Sequence, residues 1–282
     1  MSLISSRASS KPVGPPERPE GSLVQSLCRA LLLLEKLSEA NNGCRLRDLC
    51  RITGLSPSTA HRLLTTMEQR RFVAFDKDSS VWQVGSKCLT VGAVFMRRRT
   101  FLSDAARHME ILSQSLGETV NLGVLDDESN ILVLKQTRAR QLSSGLTPVG
   151  SHVSRHASAM GKVLLAAKSR MEREWVLELP YFARFTPKTI VEPSNLLAEL
   201  EIVSARGYAI DDEESASGKR CVAAPVYNEL GECVAAVSVS SDKRRLPDGA
   251  LPRIAGRLAT AASEMTALSG GFSPTRRSAD AR

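Results

Sequence analysis

No apolar stretch in the 282 residues approaches the roughly 20 that a membrane-spanning helix needs. LLLLEKL, at Leu31–Leu37, is short and is broken by charge. The N-terminus, MSLISSRASSKPVGPPERPE, lacks the apolar core of a secretory signal, so a cytoplasmic location without membrane contact is expected. Cysteine is scattered: Cys28, Cys44, Cys50, Cys88, Cys221 and Cys233 form no CxxC pair and have no histidine pair nearby. That spacing argues against both a zinc site and a disulfide framework, and predicts reduced thiols that mostly pack as small hydrophobes. No metal, cofactor or catalytic residue is expected.

What is present suits two ordinary globular domains, with 42% hydrophobic and 24% charged residues. The charge is unevenly spread. Residues 1–100 hold 16 Lys and Arg against 8 Asp and Glu, whereas residues 101–282 hold 22 of each, so the whole net charge of +8 sits in the first third. A basic module on a neutral body points to a polyanionic partner, of which nucleic acid is the commonest.

The basic third begins with a Pro- and Ser-rich tail, residues 1–20, expected to be disordered. In GSLVQSLCRALLLLEKLSEANNG, Ser22 and Gln25 suggest a capping box. Leu23, Leu27, Ala30, Leu31, Leu34 and Leu37 then recur at helical spacing, and Gly43 gives a stop. RLRDLCRITGL places Leu46, Leu49, Cys50 and Ile52 on a short helix ended by Gly54. The next helix starts at once in SPSTAHRLLTTMEQRRF, with Ser56 as N-cap and Pro57 in the first helical position, where its missing N–H is harmless. Two short helices across a tight Gly-containing turn form a helix-turn-helix pattern.

In the second helix Ala60, Leu63, Leu64 and Met67 share one face, which leaves Ser58, Thr59, His61, Arg62, Thr65 and Gln69 to meet base edges and phosphates in a major groove. RFVAFDKDSSVWQVG alternates around the turn-rich DKDSS as a hairpin, the wing of a winged helix-turn-helix. Arg70, Arg71 and Lys77 are placed to reach backbone phosphates. A helix in SKCLTVGAVFMRRRTF then leads out of the wing.

In the neutral part, Ser103 is expected to cap a helix with Ala106, Met109, Leu112 and Leu116 on one side and Gly117 as its stop. ETVNLGVLDDESNILVLKQT reads as two strands. SAMGKVLLAAKSRMEREWVLEL is helical from about Ser158, and NLLAELEIVSARG is a helix stopped at Gly207. YAIDD, RCVAAPVYN and GECVAAVSVSS are strands, and LPRIAGRLATAASEMTALSG is a closing helix. Short hairpins with irregular helices favour an α+β fold with a mainly antiparallel sheet.

SPSTAHRLL, RHASAMGKVLLA and GYAIDDEESASGKRCVAAPVYNELGECVAAVSVS, in this order and at these gaps, resemble the IclR family of bacterial transcriptional regulators from about Ser22 to Gly270. The resemblance implies a winged helix-turn-helix domain (21–85), a linker helix (86–101) and a GAF-like effector-binding domain (102–270) between tails at 1–20 and 271–282. It also implies homodimers or dimers of dimers on double-stranded operator DNA, and a small carboxylate effector. By family position, the effector would meet Ala159, Met160, Asp211, Cys221, Ser238 and Ser240. Ser154 stands where the family loop commonly has proline, and Met160 is bulkier than the residue often found there.

Residue chemistry supports such a site independently. Ser158 caps a helix whose first N–H groups can receive a carboxylate, and Ser238 and Ser240, two apart on a strand, project from one face. Asp211 would accept from an effector hydroxyl. Two rivals use the same residues: a thiol hydrolase with Cys221 as nucleophile, His152 or His156 as base and Asp211 as orienter, and a redox-responsive regulator using Cys221 or Cys233.

Overall fold

Gly54 and Ser56 build the corner of the first unit. The computed structural model describes residues 23–40, 42–97, 101–126, 130–138, 147–177 and 182–274, with the side chains of residues 96–97, 101–104 and 174–177 outside the description. The chain separates into two compact units, Met1–Phe95 and Met96–Arg282.

In the first unit, α1 (Gln25–Ser38) packs on α2 (Leu46–Thr53) and α3 (Pro57–Gln69). Gly54 ends α2 with φ of 70°, a left-handed conformation that glycine adopts without steric penalty, and its N–H donates to the Cys50 carbonyl. Ser56 starts α3: its hydroxyl accepts from the Thr59 N–H, and Pro57 occupies the first turn. The strands β1 (Val73–Asp76) and β2 (Val81–Val84) pair antiparallel as the wing, and the side chain of Asp76 accepts from the Asp78 N–H to shape its tip. Leu33, Leu37, Leu49, Ala60, Leu64, Val73 and Trp82 form the core. The helix α4 (Ser86–Arg97) leaves the wing, its start tied back by the Cys88 thiol donating to the Phe72 carbonyl.

Three sequence expectations change here. The buried face of α1 is centred on Leu33 and Leu37, while Leu23, Leu27 and Leu31 are exposed, because packing against α2 and α3 selects one phase of a leucine run that is apolar at every phase. Val24 precedes α1 without any side-chain cap, Gln25 accepts from Arg29, and Ser22 lies outside the described residues. Ile52 points outward, leaving Leu49 as the buried residue of α2. Residues 1–20, expected as a tail, and Arg98 and Arg99, near the end of the helix expected after the wing, also lie outside the description.

The second unit is a six-stranded antiparallel sheet between two layers of helix. Its strands are β3 (Thr119–Leu125), β4 (Ile131–Thr137), β5 (His152–Val153), β6 (Ala209–Asp212), β7 (Lys219–Tyr227) and β8 (Cys233–Asp242), in the order β5-β4-β3-β8-β7-β6. Period-2 alternation splits the sheet's residues between two cores. Val120, Leu122, Val222, Val226, Val237 and Val239 face α5 (Phe101–Leu116) and α9 (Leu251–Leu268). Ile131, Val133, Cys221, Ala223 and Ala236 face α6 (Ala159–Ala166) and α8 (Pro193–Arg206).

Local details also differ. The helix α5 begins at Phe101 rather than being capped at Ser103, and Ala105 rather than Ala106 is its buried alanine. The long helix expected from Ser158 is two, α6 and α7 (Arg170–Leu177). Ser169 and Glu172 make a reciprocal cap between them: the Ser169 N–H donates to Glu172 Oε2 at 2.9 Å, and the Glu172 N–H donates to Ser169 Oγ at 3.3 Å. Residues 271–274, assigned to the tail by sequence, are described; the Gly271 N–H donates to the Thr266 carbonyl.

Candidate DNA interface and effector site

Within the first unit, α3 and the wing present a basic, hydroxyl-rich surface. Ser56, Ser58, His61, Arg62, Arg70, Arg71 and Lys77 are exposed, whereas Thr59 and Thr65 are half-buried. Part of this set is already engaged. Ser56 Oγ donates to Thr59 Oγ1 at 2.9 Å, and the His61 ring meets Trp82 edge-on at 6.2 Å. Arg62, Arg70, Arg71 and Lys77 have no ion-pair partner among the described residues, so their cations are available to phosphates or base edges. Arg45, Arg47 and Arg51, exposed on or beside α2, were not singled out from sequence, although CRLRDLCR carried the signal.

In the second unit the sheet register assembles a polar row on the face toward α6. Asp211 pairs with Cys221, Cys221 with Ser240, and Ser240 with Thr119. One step along, Ala223 pairs with Ser238 and Ser238 with Asn121, which lies beside Gln136. Because β8 sits between β3 and β7, Ser238 is buried and Ser240 half-buried, not on an edge surface. Hydrogen bonds run along the row: Gln136 Nε2 donates to Asn121 Oδ1 at 2.8 Å, Asn121 Nδ2 to Ser240 Oγ at 3.2 Å, and the Cys221 thiol to the same oxygen at 3.2 Å. The Ser238 hydroxyl has no partner among the described residues. Sequence reasoning missed Asn121 and Gln136, whose role depends on strand register.

The start of α6 packs on this face. Ser158 Oγ accepts from the Gly161 N–H at 3.0 Å, leaving the N–H groups of Ala159 and Met160 without an acceptor among the described residues. Gly161 is required by close approach: a Cβ there would lie 2.2 Å from the Arg155 carbonyl oxygen. Met160 lies against β3, its sulfur 3.2 Å from where a Cβ on Gly123 would stand.

The acidic stretch is not a solvated loop; each of its acids is engaged, and Asp212 and Glu213 share Lys188 and Lys243. Asp211, buried, accepts from the N–H groups of Glu214 (2.8 Å) and Ser215 (3.2 Å) and from the Ser215 hydroxyl (2.5 Å), so its carboxylate first of all holds the loop. Burial pushes it above the ordinary carboxylate range, against those hydrogen bonds. Asp212 pairs with Arg220, Lys243 and Lys188. Hydrogen bonds from Lys188 and Lys243 hold Glu213 down at about 2. Glu214 pairs with Lys162 at 2.5 Å, and burial pushes it up to about 7 despite that cation.

The same geometry weighs on the two rivals. Burial pushes the Cys221 thiol up to about 11, the wrong direction for a nucleophile. His156 Nε2 donates to the Ala183 carbonyl and Nδ1 accepts from Ser154, while His152 pairs with Asp126 at 2.8 Å; neither histidine bonds Cys221. Cys233, pushed up to about 12 by burial, pairs with Tyr227, six residues along β7 from Cys221. At about 3.3 Å per residue that is on the order of 20 Å, beyond disulfide reach. A separate open cleft of about 770 Å³, lined by residues that include Lys168, Arg173, Ala205, Ala224 and Thr266, contains none of the expected effector residues. No group of residues suited to a metal ion occurs among those described.

A winged helix-turn-helix with unpaired cations, in one chain with an α/β unit that carries a polar sheet face, defines a DNA-binding regulator. The chain matches the IclR helix-turn-helix domain over residues 26–77 and the bacterial transcriptional regulator IclR C-terminal domain over residues 95–267. It is 37% identical over 249 residues to the acetate operon repressor of Salmonella typhimurium, covering 88% of this chain and 91% of that protein. It is 33% identical to the regulator BhcR of Paracoccus denitrificans over 253 residues, covering 90% and 89%. Among solved structures, Thermotoga maritima IclR superposes with a TM-score of 0.73 at 26% identity, covering 88% of this chain and 100% of that one. An IclR homologue from Microbacterium hydrocarbonoxydans complexed with 4-hydroxybenzoate gives 0.74 at 26% identity, covering 86% and 98%. The chain belongs to the IclR family of bacterial transcriptional regulators, and is a DNA-binding regulator rather than an enzyme. No helix among the described residues is long and apolar enough to cross a membrane.

Proposed function

We propose that this regulator senses a small carboxylate on the α6 face of the sheet and adjusts operator binding in response. The observation that carries the reading is the row Asn121, Ser238, Ser240 and Cys221 beneath the two free N–H groups of Ala159 and Met160. Two N–H groups at a helix start receive a carboxylate, aided by the helix dipole, and the hydroxyl row takes polar substituents. Asp211 retains an acceptor site on Oδ2 for an effector hydroxyl. Met160 sets the depth of the site against Gly123. The 4-hydroxybenzoate bound by a relative belongs to the same carboxylate class.

On the DNA side, Ser56, Ser58, Thr59, His61, Arg62 and Thr65 of the α3 segment read the major groove, while Arg70, Arg71 and Lys77 contact phosphates. A homodimer, or a dimer of dimers, would set two α3 helices roughly 34–36 Å apart on a near-palindromic operator. Coupling then requires the acid to bind the DNA-competent and DNA-incompetent arrangements unequally.

Calorimetric titration with 4-hydroxybenzoate and with C2 to C4 monocarboxylates tests the sensor. A saturable heat that Ser240→Ala removes supports it. Equal binding by Ser240→Ala and wild type would move the site elsewhere.

A further inference from the structure

We propose that the buried Lys162–Glu214 ion pair is a positioning element of the sensor, clamping the first turn of α6 to the loop after β6. The acid's two walls thus keep their spacing through a contact that touches no ligand. The proposal rests on the acid site described above.

Lys162 is 1% exposed and lies in α6, two residues past Met160. Its helix neighbours Ala159, Val163 and Ala166 belong to the apolar core, so an aliphatic residue would serve helix packing alone. A cation buried this deeply is unfavourable unless paired. Its Nζ reaches Glu214 Oε1 at 2.5 Å and Glu199 Oε1 at 3.3 Å.

Glu214 is held from its main chain as well. Its N–H donates to Asp211 Oδ1, and its carbonyl accepts from the hydroxyls of Thr189 at 2.7 Å and Thr186 at 3.5 Å. A shift of Glu214 is therefore felt directly by the Asp211 carboxylate. Glu199 continues the network: it also takes Arg206 Nη2 at 3.2 Å, and Arg206 Nε donates to the Tyr208 carbonyl at 2.6 Å, immediately before β6. The charges thus link α6, the loop, α8 and the start of β6. Glu214 Oε2 is buried with no partner among the described residues, an unsatisfied atom that stability alone does not call for.

The test compares the full-length wild type with the double variant Lys162→Met/Glu214→Leu, which replaces the pair by apolar groups of similar volume. We expect a thermal midpoint within a few degrees of wild type and unchanged operator binding. Hydrogen exchange should be at least tenfold faster at the amides of Gly161, Glu214 and Ser215. Affinity for whichever of 4-hydroxybenzoate or the C2 to C4 monocarboxylates the wild type binds should fall at least tenfold. Acid affinity and exchange within twofold of wild type would overturn the clamp. Should the double variant fail to fold, Glu214→Gln keeps the volume and an acceptor; it should lose at least threefold in acid affinity, and an unchanged affinity overturns the proposal. If the wild type binds none of these acids, the sensor reading falls and exchange alone decides the clamp. Faster exchange in both α6 and the loop upholds it, and a change confined to one of them overturns it.

Discussion

Every buried polar or charged side chain among the described residues lies in the second unit, from Ser113 to Thr266, while the buried core of the first unit is entirely apolar. The first unit keeps its chemistry outside: Arg62, Arg70, Arg71 and Lys77 stand in solvent on a scaffold that does not need them. The second unit keeps its chemistry inside, where Lys162, Asp211, Glu214 and Ser238 belong both to the proposed sensor and to the buried fabric of the fold. Substitutions in the two units should consequently separate function from stability in one case and mix them in the other.

The largest effect belongs to Lys162→Met alone. It leaves Glu214 buried without its cation and should destabilise the second unit by about 3–5 kcal/mol in urea denaturation. A loss below about 1 kcal/mol would mean that the interior charges are dispensable, and the contrast would break. Arg62→Ala should weaken operator affinity by about 1–3 kcal/mol in a binding titration if Arg62 reads a base edge, while stability stays within about 0.5 kcal/mol of wild type. Ser56→Ala removes the cap of α3 and should cost about 1 kcal/mol of first-unit stability by the same denaturation assay.

The interior should also respond to pH. The folded-state pKa of Glu214 is raised from 4.5 to about 7, so its stabilising contribution is fully present below about 4.5 and is lost as pH rises through about 7. Asp211, also raised by burial, acts in the same direction. Glu213, held down at about 2, acts oppositely and at lower pH: its contribution is present above 4.5 and lost as pH falls through about 2. Thermal midpoints of the second unit should fall between pH 5 and pH 8, and Glu214→Gln should flatten that slope. The smallest effect is Lys77→Ala, which should weaken specific and scrambled DNA alike and reduce the slope of log affinity against log salt by about 1.

Much of this was legible because it is local. Gly54, Ser56 and Pro57 announce the turn and the start of α3 through backbone chemistry alone, and the spacing of Ser238 and Ser240 puts both on one sheet face. What depends on partners was harder to read. Four consecutive leucines at Leu31–Leu34 offer every helical phase, and only packing chooses Leu33. Asn121 and Gln136 join the row through the register of β3 with its neighbours. Lys162 in MGKVLLAA reads as a surface position until the loop after β6 closes on it. The division of the 158–177 segment was readable in Ser169 and Glu172, a capping pair inside an otherwise continuous helical pattern.

Operator affinity with and without acid, compared between wild type and Ser240→Ala on the gene's own upstream DNA, tests the separation of reading from sensing most directly. Acid is expected to shift the wild-type affinity, and Ser240→Ala to keep the acid-free affinity but lose the shift. A Ser240→Ala protein that responds to acid as wild type does, or that fails to bind DNA without acid while remaining folded, would contradict that separation.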